Sequence, residues 1–494
     1  MSLQQYTRRK NIEMQKKSLG FNVVFQTIYQ IFLTLTPLIT TPFVSRMLGV
    51  EGVGTYSYTL SMCKYFMLFA LLGVEDYGCR SVASANGNKK KISENFINIF
   101  FFQIISSILA ITLYFLYCYF FVTQDLSVAL LQGMMVISCL FDISWFFYGV
   151  EKIKVTITRG ILIKVITMVL TFTLVNKESG VIAYTIAMAG GTLVSQIALW
   201  FSLKKEIDFV KPDFDEIIKH AKANIILFFP VIAQTVFQVM DKSMLGWFST
   251  KAQSGYYYNA DMLVYVPEGI IGGIGTVFLA RLSSLYAIGD KKEINKVLLE
   301  SFELYTCIAC PLAFGVAGIA KEFVPLFFGQ SFSPCIQLTY LLCPAIILKT
   351  YSTLLKNEVY VPSHRENYFT FSVVIAAIVN LIMNYLLIPK FGATGAVIGT
   401  ISAEFSELVV LIVGFFKIDN EISKKSLLIN LAYYFFAFIM FLCVRAVTLI
   451  TCPVVLKVII QVFTGVITYS IFCLLLWKNN KSHIGKLVTS ILKR

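Results

Sequence analysis

The chain has 494 residues, of which 57% are hydrophobic and only 14% are charged. A soluble globule of this size needs more surface charge, so the composition excludes a water-soluble protein and indicates that lipid is the main solvent. The net charge of +14 does not indicate nucleic-acid binding, because the basic residues lie in short connectors between apolar runs rather than on one domain.

Fourteen apolar runs are long enough to cross a bilayer, for which a helix needs about 20 residues. In chain order they cover 19–44, 53–73, 96–121, 128–150, 154–175, 179–202, 223–247, 257–281, 299–320, 336–355, 367–389, 393–416, 426–448 and 454–477. No connector is long enough to form a folded soluble domain. The expected fold is an all-α integral membrane protein with 14 transmembrane helices.

Lysine and arginine are concentrated at the N-terminus and in every second connector after it, where most of the 42 basic residues lie. Cytoplasmic loops of membrane proteins carry such an excess. Both termini are therefore predicted to be cytoplasmic. The N-terminal segment has no small-residue cleavage site, and we expect it to remain on the mature protein.

Motifs of the first half recur in the same order in the second half. They are Met47-Leu48-Gly49 with Gly54-Thr55-Tyr56 and Met244-Leu245-Gly246 with Gly255-Tyr256-Tyr257, then Glu151 with Arg159 and Glu358 with Arg365, then Lys177 and Lys390. Chance similarity between apolar segments is the alternative. Because each copy would hold six helices, an even number, the two copies should be related by an axis along the membrane normal.

This duplication predicts the domain organisation. The segments are a basic cytoplasmic N-terminus at 1–18, an N-lobe of helices 1–6 at 19–202, a cytoplasmic linker at 203–222, a C-lobe of helices 7–12 at 223–417, helices 13 and 14 at 418–477, and a basic cytoplasmic tail at 478–494.

Four segments resemble motifs of the polysaccharide transporter family of oligosaccharide-lipid flippases, which includes O-antigen flippases. They are SRMLGVEGVGTYSY at 45–58, FDISWFFYGVEK at 141–152, MDKSMLGWFSTKAQSGYYYNA at 240–260 and NLIMNYLLIPKFGATGAVIGT at 380–400. Its superfamily also contains multidrug exporters and lipid II flippases. The resemblance covers about residues 15–420, with one departure: similar proteins often have a proline where this chain has Ala280-Arg281.

The resemblance implies a fold and a cargo. The fold would be a V-shaped pair of six-helix bundles, with helices 1, 2, 7 and 8 lining a central cavity that opens to each side of the membrane in turn. The cargo would be a sugar unit linked to polyprenyl pyrophosphate.

Charged residues inside apolar runs are candidates for function, because a charge at mid-membrane costs roughly 2.5–3.5 kcal/mol. The deepest are Lys64 in helix 2 and Glu268 in helix 8. Our hypothesis is a salt bridge between them in one conformation, which breaks when a substrate phosphate binds Lys64. The alternative is a permanent pair that only fixes packing.

Arg46, Asp241 and Lys242 lie near the outer ends of helices 1 and 7. The two cations could contact a pyrophosphate that leaves outward. The alternative is interfacial snorkelling together with a local ion pair between Asp241 and Lys242.

Amide side chains on helices 1 and 7 form a second set of candidates for the cavity. They are Gln26 and Gln30, and Gln234 and Gln238, each pair at i, i+4 on one helix face. Such amides suit sugar hydroxyls. Structural hydrogen bonds between helices would show the same pattern.

Polar residues could also form cores inside the two bundles. They are Asp142 and Lys164 in the N-lobe, and Asn380, Asn384, Glu404 and Glu407 in the C-lobe. A carboxylate there, like Glu268 or Asp241, could bind H+ or Na+ as a coupling ion. Lys349 and Arg159 lie near enough to the cytoplasmic end to snorkel, and we assign them no function.

No other cofactor or metal site is predicted. Cys307 and Cys310 form a CxxC without a second cysteine pair or a nearby histidine, which favours core packing. Nucleotide-binding and hydrolase motifs are absent from the sequence, which argues against an ATP-driven pump and a hydrolase but does not exclude a membrane-embedded transferase or polymerase. The leading interpretation is nevertheless a protein that is not an enzyme. Arg445 lies outside the repeats, and its sequence context suggests no role for it.

The leading interpretation is a flippase in the bacterial cytoplasmic (inner) membrane. It would move undecaprenyl-pyrophosphate-linked oligosaccharide to the outer leaflet by alternating access, alongside a polysaccharide polymerase and chain-length machinery. A cation-coupled multidrug exporter of the same fold is the first alternative, and a membrane glycosyltransferase or polysaccharide polymerase is the second.

Overall fold

The computed structural model of the chain describes residues 3–85, 87–178, 180–204, 206–416, 424–478, 482 and 484–485. Within these ranges only the backbone is described at 3–28, 31, 226, 227, 229, 230, 270, 273, 274, 276, 277, 280 and 424–428.

The described residues form fifteen α-helices and no strand, which confirms the all-helical prediction. In chain order the helices are α1 (Leu3–Leu71), α2 (Val74–Ala83), α3 (Lys89–Phe121), α4 (Leu126–Leu140), α5 (Ser144–Gly149), α6 (Ile153–Leu174), α7 (Gly180–Leu203), α8 (Phe214–Phe248), α9 (Lys251–Ile288), α10 (Lys291–Phe328), α11 (Cys335–Leu355), α12 (Glu366–Phe391), α13 (Ala393–Phe416), α14 (Lys424–Ala446) and α15 (Val454–Lys478). A π-helical turn, Lys356–Tyr360, follows α11.

Two features depart from the predicted runs. The first two runs share α1, which is interrupted at Gly49 with φ 67° and ψ −179°, a conformation essentially limited to glycine. The helix α2 was not predicted.

Eleven segments of the described chain are long and apolar enough to cross a membrane. Phe32–Ala83 counts as one of them, and neither α8 nor α9 is included. The total of fourteen spans therefore stays a prediction.

The chain forms two compact units. Unit 1 comprises Met1–Thr40 and Thr59–Thr235, and unit 2 comprises Thr41–Tyr58 and Val236–Arg494. The helix α1 thus contributes to unit 2 around its break and to unit 1 on both sides of it, and α8 contributes to both units.

The core of unit 1 is built around α5. Trp145, Phe146 and Phe147 are buried there, and the Trp145 ring stacks on Phe96 of α3 with a centroid distance of 5.5 Å. Gln103 of α3 closes the gap between α4 and α5, because its Nε2 donates to the carbonyls of Cys139 and Asp142 at 2.7 and 2.8 Å and its Oε1 accepts from Trp145 Nε1 at 3.1 Å. This packing explains the local sequence FDISWFF.

In unit 2 the two repeated glycines meet each other. A Cβ on Gly54 would lie 1.8 Å from the Lys251 carbonyl oxygen, and a Cβ on Gly255 would lie 2.3 Å from the Val50 carbonyl oxygen. The contact is reciprocal, since Val50 and Gly54 occupy the same relative positions as Lys251 and Gly255. Only glycine allows the backbones of α1 and α9 to approach this closely.

The last two helices pack on α10. Cys310 of α10 lies in one apolar cluster with Tyr433 and Met440 of α14 and Cys473 of α15, as expected for a cysteine that serves packing. The Tyr433 hydroxyl donates to Glu303 Oε1 at 2.9 Å and accepts from Trp477 Nε1 at 3.0 Å. Every cysteine is a free thiol.

Candidate functional site

Lys64 borders a cavity of about 220 Å³ in unit 1. Its side chain is exposed on α1. Most of the wall is apolar, and acidic side chains from α2 complete it. Besides Lys64, the lining includes Met67, Leu71, Glu75, Asp76, Val231 and Thr235. An ammonium beside an apolar wall suits a ligand that carries an anionic group next to a hydrocarbon chain.

Asp142 is the centre of a buried hydrogen-bond cluster in unit 1. Its Oδ1 accepts from the backbone and hydroxyl of Ser144, and its Oδ2 accepts from Gln196 Nε2 at 2.8 Å. Arg159 donates to Gln196 Oε1 at 2.6 Å and to the Ser195 carbonyl at 3.0 Å. The expectation that Arg159 snorkels is therefore wrong, because neighbouring oxygens hold its guanidinium.

Lys164, the other polar residue predicted for the N-lobe core, lies partly buried on α6. Among the described residues it forms no hydrogen bond with the Asp142 cluster. Its function stays a prediction.

In unit 2 the Asp241 carboxylate is buried and accepts four hydrogen bonds. Its Oδ1 accepts from Asn380 Nδ2 at 2.9 Å and Asn384 Nδ2 at 2.6 Å, and its Oδ2 accepts from Tyr257 Oη at 2.6 Å and Thr400 Oγ1 at 3.0 Å. The side chains come from α8, α12, α9 and α13. A negative charge can be held there without a cation, because hydrogen bonds to the charged form compensate for its burial.

Asn384 Oδ1 is buried at this cluster and has no hydrogen-bond partner among the described residues. A Cβ on Gly399 would lie 2.2 Å from this atom, so the glycine makes room for it. The cluster thus contains an amide oxygen without a partner in the described chain, a carboxylate and a hydroxyl. Together these oxygen ligands suit a small hard cation.

A second charged group in unit 2 centres on Lys349 of α11. Its Nζ lies 3.0 Å from Glu268 Oε1 of α9 and 3.5 Å from Glu404 Oε1 of α13. Glu407, one turn beyond Glu404, is also buried. The expectation that Lys349 snorkels is wrong, because two carboxylates hold it. Glu268 has Lys349 as its partner here, and its pairing with Lys64 in another conformation stays a prediction.

The cations predicted near the outer ends of helices 1 and 7 have partners in unit 2. Arg46 donates from Nη2 to the Leu326 carbonyl. Lys242 Nζ pairs with Asp261 Oδ2 at 2.8 Å. The alternative from the sequence was a local ion pair between Lys242 and its neighbour Asp241. Neighbouring residues on a helix point in different directions, which explains this difference.

Of the four glutamines predicted to bind sugar, the Gln26 side chain lies outside the described residues. Gln30, Gln234 and Gln238 all have exposed side chains. Sugar binding stays a prediction for all four.

Several functional candidates were missed in the sequence. Tyr257 lies in the repeated Gly-Tyr-Tyr motif and Thr400 lies in the family segment at 380–400, so motif membership could have indicated both. Asp261 and Glu322 lie near the polar ends of predicted helices, and no motif indicated a role for them. Glu322 accepts from Arg445 Nη1 and from Gln461 Nε2, each at 3.2 Å, which joins α10, α14 and α15 and accounts for Arg445.

Outside the membrane segments, His220 of α8 contacts α2. Its Nδ1 lies 2.7 Å from the Tyr77 hydroxyl. Burial lowers the pKa of His220, an effect that nearby Glu216 opposes.

Comparison with known proteins identifies two overlapping families. Residues 19–285 match the polysaccharide biosynthesis protein family, and residues 210–470 match the lipid II flippase MurJ family. A candidate O-antigen transporter of Escherichia coli (strain K12) is 22% identical over 400 residues, which are 79% of this chain and 94% of that protein.

Solved structures share the fold. A lipid II flippase MurJ in an inward closed conformation has a TM-score of 0.63 at 15% identity and covers 94% of this chain and 98% of its own. An inward-facing multidrug resistance MATE family transporter of the MOP superfamily also has a TM-score of 0.63, at 14% identity, over 79% of this chain and 98% of its own.

Proposed function

The chain belongs to the polysaccharide biosynthesis protein family, and from this premise we propose that it is a flippase for lipid-linked oligosaccharides. It moves a sugar unit attached to undecaprenyl pyrophosphate from the cytoplasmic to the outer leaflet, for surface polysaccharide such as O-antigen. The relatives are transporters and flippases, so the protein is a transporter and not an enzyme. This excludes the membrane glycosyltransferase or polymerase alternative.

The observation that carries the proposal is the position of Lys64. Its ammonium lines a cavity whose wall is mostly apolar, and a pyrophosphate joined to a polyprenyl chain matches both features. We assign Lys64 to the pyrophosphate. The exposed amides of Gln30, Gln234 and Gln238 are the groups we assign to sugar hydroxyls.

The finer topology belongs to the same proposal. We infer 14 transmembrane helices with both termini in the cytoplasm, and two six-helix lobes at 19–202 and 223–417 that rock to give alternating access. The distribution of lysine and arginine supports the orientation. The reciprocal contact between Gly54 and Gly255 supports the duplication. The location is the bacterial cytoplasmic membrane, with a polysaccharide polymerase and chain-length machinery as partners.

We infer that the Asp241 cluster binds the coupling ion, and that the ion is Na+ or H+. One carboxylate with amide and hydroxyl oxygens carries a single negative charge, which matches a monovalent cation. Rotation of the Asn380 and Asn384 amides would turn further oxygens towards a bound Na+. Protonation of Asp241 would neutralise the same site.

The multidrug exporter is kept as the second candidate because a structure of that class shares the fold. Glu75 and Asp76 on the cavity wall are the groups that favour it, since a cationic drug needs carboxylates. Lys64 on the same wall favours an anion.

The test is reconstitution of the purified protein into liposomes with a fluorescent undecaprenyl-pyrophosphate-linked oligosaccharide. Exposure of the sugar to a membrane-impermeant quencher reports flipping. We expect exchange well above that of empty liposomes. Efflux of ethidium without exchange of the lipid would instead establish the drug exporter.

A further inference from the structure

The π-helical turn after α11 encloses a buried carboxyl group. Glu358 lies inside this turn, Lys356–Tyr360, and is 0% exposed. The turn is wider than an α-helix, because Val361 N donates to the Lys356 carbonyl at 2.9 Å and Arg365 N donates to the Tyr360 carbonyl at 2.9 Å. Single π turns inside helices often occur at functional sites.

The surroundings of Glu358 compensate little for the burial of a charged carboxylate. Ser301 Oγ of α10 donates to its Oε2, while its Oε1 has no hydrogen-bond partner among the described residues. The hydroxyl of Tyr305, also on α10, lies next to the carboxyl and is the second polar side-chain group beside it. A buried carboxylate with so few donors and no ion pair would be costly, whereas a carboxylic acid could donate a hydrogen bond of its own.

The charged groups around this site leave Glu358 without a counter-ion in the described part of the chain. Tyr286 of α9 lies within electrostatic reach of both Glu358 and Arg365. Lys356 of the same turn instead lies over the Phe369 ring, 4.4 Å from its centroid, and near Glu407.

Two other buried acids of unit 2 differ in this respect. Glu404 pairs with Lys349, and Asp241 accepts four hydrogen bonds. The residue that corresponds to Glu358 in the first copy, Glu151, is exposed. A buried acid at this position is therefore a feature of the second copy and not of the first.

The cover of the site is α9, a helix with a proline inside it. A Cβ on Gly275 of α9 would lie 2.8 Å from Asn357 Nδ2 and 2.9 Å from Tyr305 Oη, so the glycine brings α9 directly against the turn and against Tyr305. The same helix contains Pro267, which removes one backbone hydrogen bond. A change in the bend of α9 would separate it from the turn and admit water to Glu358.

We propose that Glu358 is a proton-binding site, distinct from the Asp241 cluster, that holds a proton while α9 covers it and releases that proton to water when α9 moves away. The step is a simple proton transfer, in which the carboxylic acid becomes a carboxylate and water receives the proton. The role of this proton in transport rests on the proposed flippase function, because the proton would be bound and released during the conformational cycle of the flippase.

The first test measures the proton without transport. Infrared spectra of the purified protein in lipid nanodiscs, recorded across a pH titration, report the C=O stretch of protonated carboxyl groups. We expect the wild type to show a component at neutral pH that Glu358→Gln removes. Glutamine has nearly the same shape and can still accept from Ser301, so the variant should fold. The matched control is Glu293→Gln at the start of α10, a partly buried acid that pairs with Arg281 and Lys296, and this variant should keep the component at neutral pH.

An identical carboxyl spectrum in the wild type and Glu358→Gln would overturn the proton site. The second test uses flipping in liposomes with an imposed pH gradient. We expect Glu358→Gln to lose the response to the gradient that the wild type shows. Retention of the full response would overturn the role of this proton in transport, whereas absence of flipping in the wild type would overturn the proposed function and leave the infrared result intact.

Discussion

The Lys349 ammonium lies 3.0 Å from the Glu268 carboxylate and 3.5 Å from the Glu404 carboxylate, and so serves as the shared cation of α9, α11 and α13. Such pairing lets three helices carry charges inside an apolar segment. Removal of the shared cation should therefore affect both acids at once.

We expect Lys349→Met to lower the free energy of unfolding by about 3–5 kcal/mol, because it leaves the buried Glu404 and the partly buried Glu268 without their cation. Thermal unfolding in detergent at neutral pH measures the effect. Glu404→Gln in the Lys349→Met background should recover part of the loss. Lys321→Met, at an exposed position of α10, is the control. Equal melting temperatures for Lys349→Met and the wild type would contradict this assignment.

Lys64→Ala should slow flipping of the lipid-linked oligosaccharide by about 10-fold or more, since a hydrogen bond to a charged group contributes about 1.5–3 kcal/mol. Lys64→Arg should keep most of the rate, because arginine also binds phosphate oxygens. The liposome exchange assay measures both variants, and Lys321→Ala is the control. A wild-type rate in Lys64→Ala would remove this residue from the substrate site.

Gly399→Ala should weaken the Asp241 cluster. The added methyl group would lie 2.2 Å from Asn384 Oδ1 and displace that amide from the carboxylate. The expected cost is about 1–3 kcal/mol for a disrupted buried hydrogen bond. Melting temperatures in NaCl and in KCl should differ for the wild type and converge for Gly399→Ala and Asp241→Asn.

The matched control for this substitution is Gly190→Ala on α7, where a Cβ meets no atom within 4 Å. Gly190→Ala should keep the response to sodium. If the wild type itself responds equally to both salts, Na+ is excluded as the ion at Asp241.

Gly255→Ala should separate α1 from α9, because the new Cβ would lie 2.3 Å from the Val50 carbonyl oxygen, a backbone atom that cannot rotate away. We expect a lower melting temperature for Gly255→Ala and for Gly54→Ala. The double variant should lose less stability than the sum of the losses in the two single variants, because both substitutions break the same contact. Gly272→Ala on the same helix has open space and is the control. Full additivity would show that the two glycines act independently.

Acid should weaken the contact between His220 and Tyr77. Because burial lowers the pKa of His220 in the folded protein, the neutral ring contributes stability above the unfolded pKa of about 6.5, and this stability is lost as the pH falls towards the folded pKa. The melting temperature should therefore fall more between pH values of about 7 and 5 in the wild type than in His220→Gln.

The control for this pH effect is His364→Asn, chosen because His364 is exposed and has a positive φ of 56° that asparagine tolerates. This variant should show the same dependence on pH as the wild type. Parallel curves for His220→Gln and the wild type would contradict the role of His220.

The sequence by itself determined the fold class and the family. A chain in lipid must satisfy its backbone hydrogen bonds within each segment, so apolar runs of sufficient length can only be helices. The same constraint makes polar residues inside the runs conspicuous, which is why the sequence alone indicates Asp241, Asn380, Asn384 and Glu404 as candidates.

Only the tertiary structure decided which of these groups meet. Lys242 pairs with Asp261 and not with Asp241, and Lys349 lies between Glu268 and Glu404 instead of reaching the cytoplasmic surface. The choice of partner depends on the rotation of each helix about its axis and on the distance between helices, and a hydropathy pattern contains neither quantity. Glu358 illustrates the same limit, because its position in the chain is that of a connector, while the widened turn and the cover of α9 bury it completely.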